Sequence, residues 1–358
     1  MAIITVPGRV ELAGNHTDHQ HGRVLVSAIH LNIRGDFTAN SDSVIRIHSQ
    51  RYGDLVIPLN HLEVRPAEFG TPTSLVRGVA AAFRDLGLAI GGFDASVTSS
   101  LPIGVGLSSS GAFSVLIARI LSNLYNGDEV ESIVLARAAH TAEKVHFGKP
   151  SGLTSQLACV FGHTLYVDLK THEIERIEGD FSSMGLTMCL TDTGGTHDGL
   201  NTSYARIPAD MKYIANLFDE GVLADVDPEE FRAKGWDVSN RPVRRAMHFF
   251  NENDRVPKMR DALKNHDGET YMRLMNESGR SSEDLLNNIV TSTTDDTRLL
   301  EGLKESARLL NGRGAWRVHG GGFAGCVQAL MPQDYFLFYR SEMEKRFGAG
   351  SCFPIHLV

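Results

Sequence analysis

The segment Leu101-Pro102-Ile103-Gly104-Val105-Gly106-Leu107-Ser108-Ser109-Ser110-Gly111-Ala112 is the most informative stretch of this chain. It follows a strand-like alternation at Phe93–Val97 and leads into an apolar run that predicts a helix over Ala112–Tyr125. Its glycines allow the backbone to curl closely around a ligand. The helix that follows presents unpaired N–H groups and the positive end of its dipole. The segment is therefore either an anion site suited to nucleotide phosphates or a serine-capped helix after a tight turn.

Two better-known nucleotide loops do not fit this segment. The Walker pattern ends in Gly-Lys-Ser/Thr, and the segment contains no lysine. The dinucleotide pattern requires a third glycine where Ser109 stands.

A second polar segment lies near the N-terminus, Pro7-Gly8-Arg9-Val10-Glu11-Leu12-Ala13-Gly14-Asn15-His16-Thr17-Asp18-His19. Arg9 offers a fixed fork of donors for an oxyanion or carboxylate. Asp18 offers two acceptor oxygens of the kind that hold sugar hydroxyls. The alternative interpretation is a polar surface loop. A metal site is a weaker hypothesis, because the H-x-x-H-x-H spacing matches no motif with a known mechanism; the histidines concerned are His16, His19 and His21.

Composition limits the function classes. A chain of 358 residues exceeds one typical hydrophobic core, so two domains are expected. The net charge of −8 argues against a non-specific nucleic-acid surface, although backbone N–H groups can still bind an anion. The cysteines form no C-x-x-C pair, which favours a reducing cytoplasm over a zinc or dithiol site. They are Cys159, Cys189, Cys326 and Cys352.

From the sequence we expect neither a signal peptide nor a membrane span. The N-terminus lacks an apolar run behind a basic one. The longest uncharged stretch, Ala95–Ala118, contains a proline, several glycines and many serines. We expect a cytoplasmic protein without membrane or nucleic-acid partners, and a monomer, because no exposed apolar heptad is evident.

The order of predicted elements is mixed, then helical, then strand-rich, which fits an α+β protein of two lobes. Helical signal dominates between Tyr204 and Leu310. We place the boundary in the loop after Gly162, so that the predicted domains are residues 1–163 and 164–358. Besides those named above, the predicted strands are Val44–His48, Thr164–Leu169, Leu186–Asp192 and Arg317–Met331, and the predicted helices are Ser74–Asp85 and Glu129–Lys144.

Three motifs together resemble the GHMP kinase superfamily and, within it, the galactokinases. Residues 7–18 resemble the galactokinase signature, and the Leu101–Ala112 loop is similar to the superfamily's ATP-binding motif. Val318-His319-Gly320-Gly321-Gly322-Phe323-Ala324-Gly325-Cys326 resembles its C-terminal glycine-rich motif. The motifs occur in the family's order and span nearly the whole chain. Further, Glu143 stands where the family has a Mg²⁺-binding glutamate, and Asp192–His197 with Tyr204 resembles a segment that supplies a sugar-contacting tyrosine.

The resemblance implies a mixed α/β N-terminal lobe, a ferredoxin-like α+β C-terminal lobe, and transfer of the γ-phosphoryl group of ATP to a sugar hydroxyl, at C1 of galactose in the named family. It implies that Ser110 and Glu143 hold Mg²⁺ and that Arg9 stabilises charge at the reacting hydroxyl. It assigns the phosphates to Gly104, Gly106, Leu107, Ser108, Ser109, Ser110 and Gly111. It assigns the sugar to Asn15, His16, Asp18 and Tyr204.

The chain departs from the family at the proposed catalytic base. The family has Cys-Gly-apolar-apolar-Asp-Gln after the glutamate, whereas this chain reads Ser151-Gly152-Leu153-Thr154-Ser155-Gln156. Ser155 therefore occupies the aspartate position, where it can neither take a proton near neutral pH nor, we expect, pair with Arg9. Asn15 replaces a glutamate found in many galactokinases.

Losing the base does not by itself abolish phosphoryl transfer, which depends mainly on positioning and charge stabilisation. We expect ATP·Mg²⁺ binding to survive, with Asp18 or a water orienting the sugar hydroxyl. Two hypotheses remain open: an active galactokinase-type sugar kinase, which the retained Glu143 favours, and a catalytically silent sugar or nucleotide sensor, which Ser155 favours. An unrelated enzyme would be supported if Ala95–Ala118 were not strand, loop and helix.

Overall fold

The computed structural model describes residues 2–102, 104–149, 152–195, 200–291 and 295–358. The strands are β1 Ala2–Ala13, β2 Arg23–Ala39, β3 Val44–Ser49, β4 Gly53–Pro58, β5 Phe93–Ser99, β6 Thr164–Asp168, β7 Glu173–Ile177, β8 Leu186–Asp192, β9 Ala315–His319, β10 Cys326–Pro332 and β11 Cys352–Ile355. The helices are α1 Pro72–Asp85, α2 Ser109–Tyr125, α3 Ser132–Thr141, α4 Thr154–Phe161, α5 Asn201–Asn216, α6 Pro228–Ala233, α7 Arg241–Lys264, α8 Gly268–Ser281, α9 Arg298–Leu310 and α10 Phe336–Phe347. No helix in these ranges is long and apolar enough to cross a bilayer.

The first sheet is built around the long strand β2. Its order is β4-β3-β5-β2-β6-β7, and β1 pairs antiparallel with β2. The first part of β2 pairs with β6 and the last part with β5. On β1 the buried positions alternate, with Val6, Val10 and Leu12 in the core, as a half-buried strand requires.

Helix α2 packs on this sheet and begins within the Leu101–Ala112 segment. This segment is called the phosphate loop below, after its predicted role. Leu116 lies so close to β2 that a Cβ on Gly35 would be 3.2 Å from its side chain. Residues 115–118 of α2 are fully buried. The predicted order of strand, loop and helix is confirmed, because β5 ends at Ser99 and α2 begins at Ser109. The condition that would have supported an unrelated enzyme is therefore not met.

The second sheet is antiparallel, in the order β11-β8-β10-β9. In chain order this is 4-1-3-2, with helices between its first and second strands and between its third and fourth. That is the ferredoxin-like arrangement. The prediction of a two-sheet α+β fold with this second unit is confirmed.

The strands β6 and β7 belong to the first sheet although they lie beyond residue 163. The division of the chain at that residue stays a prediction, and the first sheet extends past it to Ile177. The C-terminus also returns to the first sheet, where Leu357 bridges Ile29 of β2. The site lies where β1, α2 and the β9–β10 turn meet, as the contacts below show.

Candidate active site

The phosphate loop has the backbone that its glycines predict. Gly104 and Gly106 have φ of +78° and +76°, a region that favours glycine. A Cβ on Gly104 would meet nothing within 4 Å, so the loop is open on that side. Ser108 precedes α2 with φ +60° and makes no side-chain cap. Since Ser108 does not cap the helix, this geometry fits the anion-site interpretation better than the serine-capped turn.

Arg9 joins strand β1 to this loop. Its backbone N–H donates to the carbonyl of Leu107 at 3.1 Å, and its Nη1 donates to the carbonyl of Gly106 at 2.5 Å. Gly8 permits the approach, because a Cβ there would lie 2.9 Å from the Leu107 carbonyl oxygen. The N-terminal segment and the phosphate loop, which are separate motifs in the sequence, therefore form one structural unit.

Arg9 also contacts Ser155, at the N-terminus of α4. Its Nε donates to Ser155 Oγ at 2.9 Å. The expectation that serine cannot pair with arginine was wrong in this respect, because the hydroxyl oxygen accepts a hydrogen bond although it carries no charge to form an ion pair. Within the described ranges, Nη2 of Arg9 has no hydrogen-bond partner.

Ser110 and Glu143 converge, as predicted for a metal site. Ser110 Oγ donates to Glu143 Oε1 at 2.5 Å, and Gln156 Nε2 donates to Oε2 at 2.5 Å. Lys149 Nζ lies 3.1 Å from the same Oε1. Glu143 is 1% exposed and lies on a π-helical turn, Ala142–His146, a feature frequent at functional sites. A hydroxyl and a carboxylate beside a phosphate loop are hard oxygen ligands that suit Mg²⁺.

Asp18 lies against the segment that contains Ser155. A Cβ on Gly152 would be 2.2 Å from Asp18 Oδ2, so only glycine fits at that position. The other oxygen, Oδ1, accepts the backbone N–H of His19 at 2.8 Å. The structure thus packs Asp18 against Gly152, three residues before the position of the missing base.

The amide of Asn15 is bonded within the protein, and its contact with a sugar stays a prediction. It is 1% exposed, and its amide has all its hydrogen bonds within the protein. Nδ2 donates to Glu11 Oε1 at 3.2 Å and to the Gly320 carbonyl at 2.7 Å. Oδ1 accepts from Ser282 and Asn288 at 3.3 and 3.2 Å. A sugar hydroxyl would have to displace one of these bonds, so Asn15 holds the loop rather than offering a free amide.

His16 and Tyr204 both contact the C-terminal glycine-rich motif. His16 Nε2 is 3.0 Å from the Gly321 carbonyl oxygen, and the Tyr204 hydroxyl donates to the Gly322 carbonyl at 2.6 Å. Burial lowers the pKa of His16 to about 3, so the ring is neutral. Its Nε2–H donates to the Gly321 carbonyl, and its Nδ1 accepts from His19 Nε2 at 3.2 Å. Burial raises the pKa of Tyr204.

The metal hypothesis for the N-terminal histidines finds no cluster. Among the residues described, no three His, Cys, Asp or Glu side chains are grouped to hold an ion. The ring nitrogens of His16 are used by His19 and Gly321.

His319 is a site residue that the sequence analysis did not single out. Its Nε2 is 3.2 Å from the Gly106 carbonyl oxygen that Arg9 also contacts. A Cβ on Gly106 would lie 3.1 Å from the ring. His319 is 3% exposed, and burial next to the Arg9 charge lowers its pKa to about 3. The neutral ring therefore donates to the loop and ties the C-terminal motif to it.

A cavity of about 300 Å³ opens beside the start of α2. Its walls include Arg51, Tyr52, Ser99, Ser109 and Phe113. A cavity next to a phosphate loop has room for the rest of a nucleotide.

Four predicted positions of the motifs, Ile103, Ser151, Thr196 and His197, lie outside the described residues.

Two family models match the chain. The GHMP kinases N terminal domain matches residues 74–163, which include the phosphate loop, Glu143 and Ser155. The galactokinase galactose-binding signature matches residues 2–35, which include Arg9 and Asp18. The chain therefore contains a GHMP kinase N-terminal domain and a galactokinase galactose-binding signature.

Individual proteins agree with this assignment. A galactokinase from Thermotoga maritima is 29% identical to this chain over 361 residues, covering 98% of the chain and 96% of that protein. The structure of Lactococcus lactis galactokinase complexed with galactose superposes with a TM-score of 0.86 at 22% identity, covering 99% of this chain and 93% of that one. A mevalonate kinase from Methanococcus jannaschii follows with a TM-score of 0.70 at 18% identity, covering 100% and 98% of the two chains.

The sequence did not assign a role to three residues of this site: Lys149, Gln156 and His319. His319 stands inside a quoted motif, so a titratable side chain among glycines was an available signal. Lys149 gave none, because a spacing of six residues from Glu143 places it on no common helix face.

Proposed function

We propose that this protein transfers the γ-phosphoryl group of ATP·Mg²⁺ to a sugar hydroxyl, at C1 of galactose or a related aldose, and that it does so without a carboxylate at residue 155. The position of Arg9 carries this proposal. One guanidinium contacts the phosphate loop through Gly106 and the base position through Ser155. Negative charge develops between the phosphate site and the acceptor site during transfer. A guanidinium placed there stabilises that charge.

The chain's own residues account for binding of the nucleotide. The open glycine loop and the N-terminus of α2 would hold the phosphates. Ser110 and Glu143 would hold Mg²⁺, which neutralises phosphate charge when it is bound. The cavity beside Ser109 would take the base and ribose.

The acceptor is oriented without Ser155 taking a proton. Asp18, packed on Gly152, would accept a hydrogen bond from the sugar hydroxyl. As the new O–P bond forms and the bond to ADP breaks, the hydroxyl proton would pass to an oxygen of the transferred phosphoryl group. Nη2 of Arg9 would donate to a phosphoryl oxygen. A general base typically contributes about 10²–10⁴-fold, and the rest of the rate enhancement comes from positioning and charge. We therefore propose a kinase that is slow and not inactive.

A second candidate is a sugar or nucleotide sensor without turnover. The observation that favours it is the neutral Ser155 hydroxyl bonded to Arg9. Residue 155 then has no carboxylate to take the proton of the sugar hydroxyl. Retention of the Ser110–Glu143 pair favours the kinase, because a sensor need not hold Mg²⁺.

The deciding experiment measures ADP release with a panel of aldoses, for the wild type and Ser155→Asp. The kinase proposal expects turnover by the wild type with at least one aldose and faster turnover by the variant. Turnover by the variant alone would favour the sensor. Failure of the wild type to bind ATP would contradict both candidates.

A further inference from the structure

Lys149 lies on the carboxylate that the proposed function assigns to Mg²⁺. Its Nζ donates to Glu143 Oε1 at 3.1 Å, the oxygen that also accepts from Ser110 Oγ. Ser110 belongs to the first turn of α2. The ammonium group is therefore next to the metal position and next to the phosphate position together.

The backbone holds Lys149 in this place. Its N–H donates to the carbonyl of Glu143 at 3.1 Å. Gly148, with φ +78°, packs on Phe69 so closely that a Cβ there would be 2.8 Å from the ring. The Phe147 carbonyl accepts the N–H of Gly70 at 3.0 Å. The chain before Lys149 is thus fixed on two sides, while the lysine side chain itself is 51% exposed and has room to move.

Electrostatics link the lysine to the nucleotide. Glu143 is almost fully buried, and a buried carboxylate needs a compensating charge. In the protein without nucleotide, Lys149 contributes that charge. When a divalent cation takes the same oxygen, two cations would share one carboxylate and repel each other. The flexible ammonium can then turn to the phosphate group expected at the start of α2.

We infer that Lys149 is a phosphate-binding residue, whose ammonium pairs with Glu143 before nucleotide binds and with phosphate oxygens of the Mg²⁺·nucleotide afterwards. This inference rests on the proposed function, because it requires Mg²⁺·ATP at this loop. It adds a second positive charge for the phosphates besides that of Arg9, in a protein with serine at residue 155.

Calorimetric titration tests the inference without relying on turnover. The probes are the non-hydrolysable ATP analogue AMPPNP with Mg²⁺, and adenosine, which has no phosphate. A hydrogen bond to a charged group is worth about 1.5–3 kcal/mol, which corresponds to roughly 10-fold or more in affinity. We expect Lys149→Met to weaken AMPPNP binding by at least about 10-fold and to leave adenosine binding unchanged.

Two further variants control this measurement. Lys149→Gln keeps an N–H donor for Glu143 but removes the charge, so it should fold normally and still lose AMPPNP affinity. Lys144→Met makes the same charge change next to Glu143 at an exposed lysine, and should bind both probes as the wild type does.

The outcomes separate the two proposals. Equal AMPPNP binding by the wild type and both Lys149 variants overturns the inference and leaves the proposed function standing. Equal loss of AMPPNP and adenosine binding in the Lys149 variants shows that Lys149 only supports the structure. That result also overturns the inference. Absence of AMPPNP binding by the wild type overturns the proposed function as well.

Discussion

Arg9 and Ser155 are 146 residues apart in the chain and share a hydrogen bond of 2.9 Å. The serine hydroxyl orients the guanidinium without neutralising it. An aspartate at residue 155 would use its carboxylate both to pair with Arg9 and to accept the substrate proton. With serine, the full charge of Arg9 is left for the phosphate side of the site, which is why we expect the arginine to carry much of the remaining catalysis.

The first prediction concerns this hydrogen bond. Because Ser155 acts as an acceptor for Arg9 and not as a base, Ser155→Ala should remove one hydrogen bond to a charged group, worth about 1.5–3 kcal/mol. We expect kcat/KM for the sugar that turns over to fall by about 10- to 150-fold. Steady-state ADP release measures this.

Ser122→Ala is a matched control for this change. Ser122 is a buried serine of α2 whose Oγ has no partner among the described residues, so its removal should leave kcat/KM unchanged. A loss beyond about 10⁴-fold in Ser155→Ala would exceed one hydrogen bond and would mean that Ser155 takes part in the chemistry.

The second prediction concerns the packing of Asp18 on Gly152. A Cβ at Gly152 would be 2.2 Å from Asp18 Oδ2, so Gly152→Ala must displace the carboxylate. We expect the KM for the sugar to rise by roughly 10-fold or more, while affinity for Mg²⁺·AMPPNP stays the same, because the lost contact is to the sugar alone. Steady-state kinetics and calorimetry give the two values.

Gly221→Ala tests whether an added methyl group is harmful in itself. A Cβ on Gly221 would meet nothing within 4 Å, so this variant should behave as the wild type. An unchanged KM in Gly152→Ala would contradict a sugar-orienting role for Asp18.

The third prediction concerns the pH dependence of stability. The pKa of His319 is lowered from 6.5 to about 3 in the folded protein. Below pH 6.5 the unfolded chain therefore binds a proton that the folded chain does not, and stability is lost as pH falls towards 3. Between pH 7.5 and 5 this loss is about 2 kcal/mol for one such histidine. His319→Gln keeps a donor for Gly106 and should remove this part of the loss, as measured by urea unfolding at both pH values.

Ser122→Ala, which changes no titratable group, is the control for the third prediction and should leave the pH dependence as in the wild type. If the free energy of unfolding falls equally between pH 7.5 and 5 in His319→Gln and in the wild type, His319 is not the buried neutral group that its contacts indicate. Other buried histidines, such as His248, keep part of the acid sensitivity in both proteins.

Much of the site was predictable because it is encoded locally. The phosphate loop follows from glycines and serines between a strand and a helix, and its backbone angles agree. The Ser110–Glu143 contact was expected from the resemblance and is present. The role of Asn15 was not predictable, because its four hydrogen bonds come from segments up to 305 residues away, and only the fold shows that its amide is already used.

The sequence by itself determined the resemblance to galactokinases, the glycine-serine loop with its helix, and the serine at the base position, because these depend on residue type and short spacing. Only the tertiary structure decided that Ser155 bonds Arg9, that Asp18 rests on Gly152, and that Lys149 reaches Glu143. Each of these contacts joins a flexible polar side chain to another segment. Its geometry depends on how β1, α2 and the chain before α4 pack together, which no local pattern specifies.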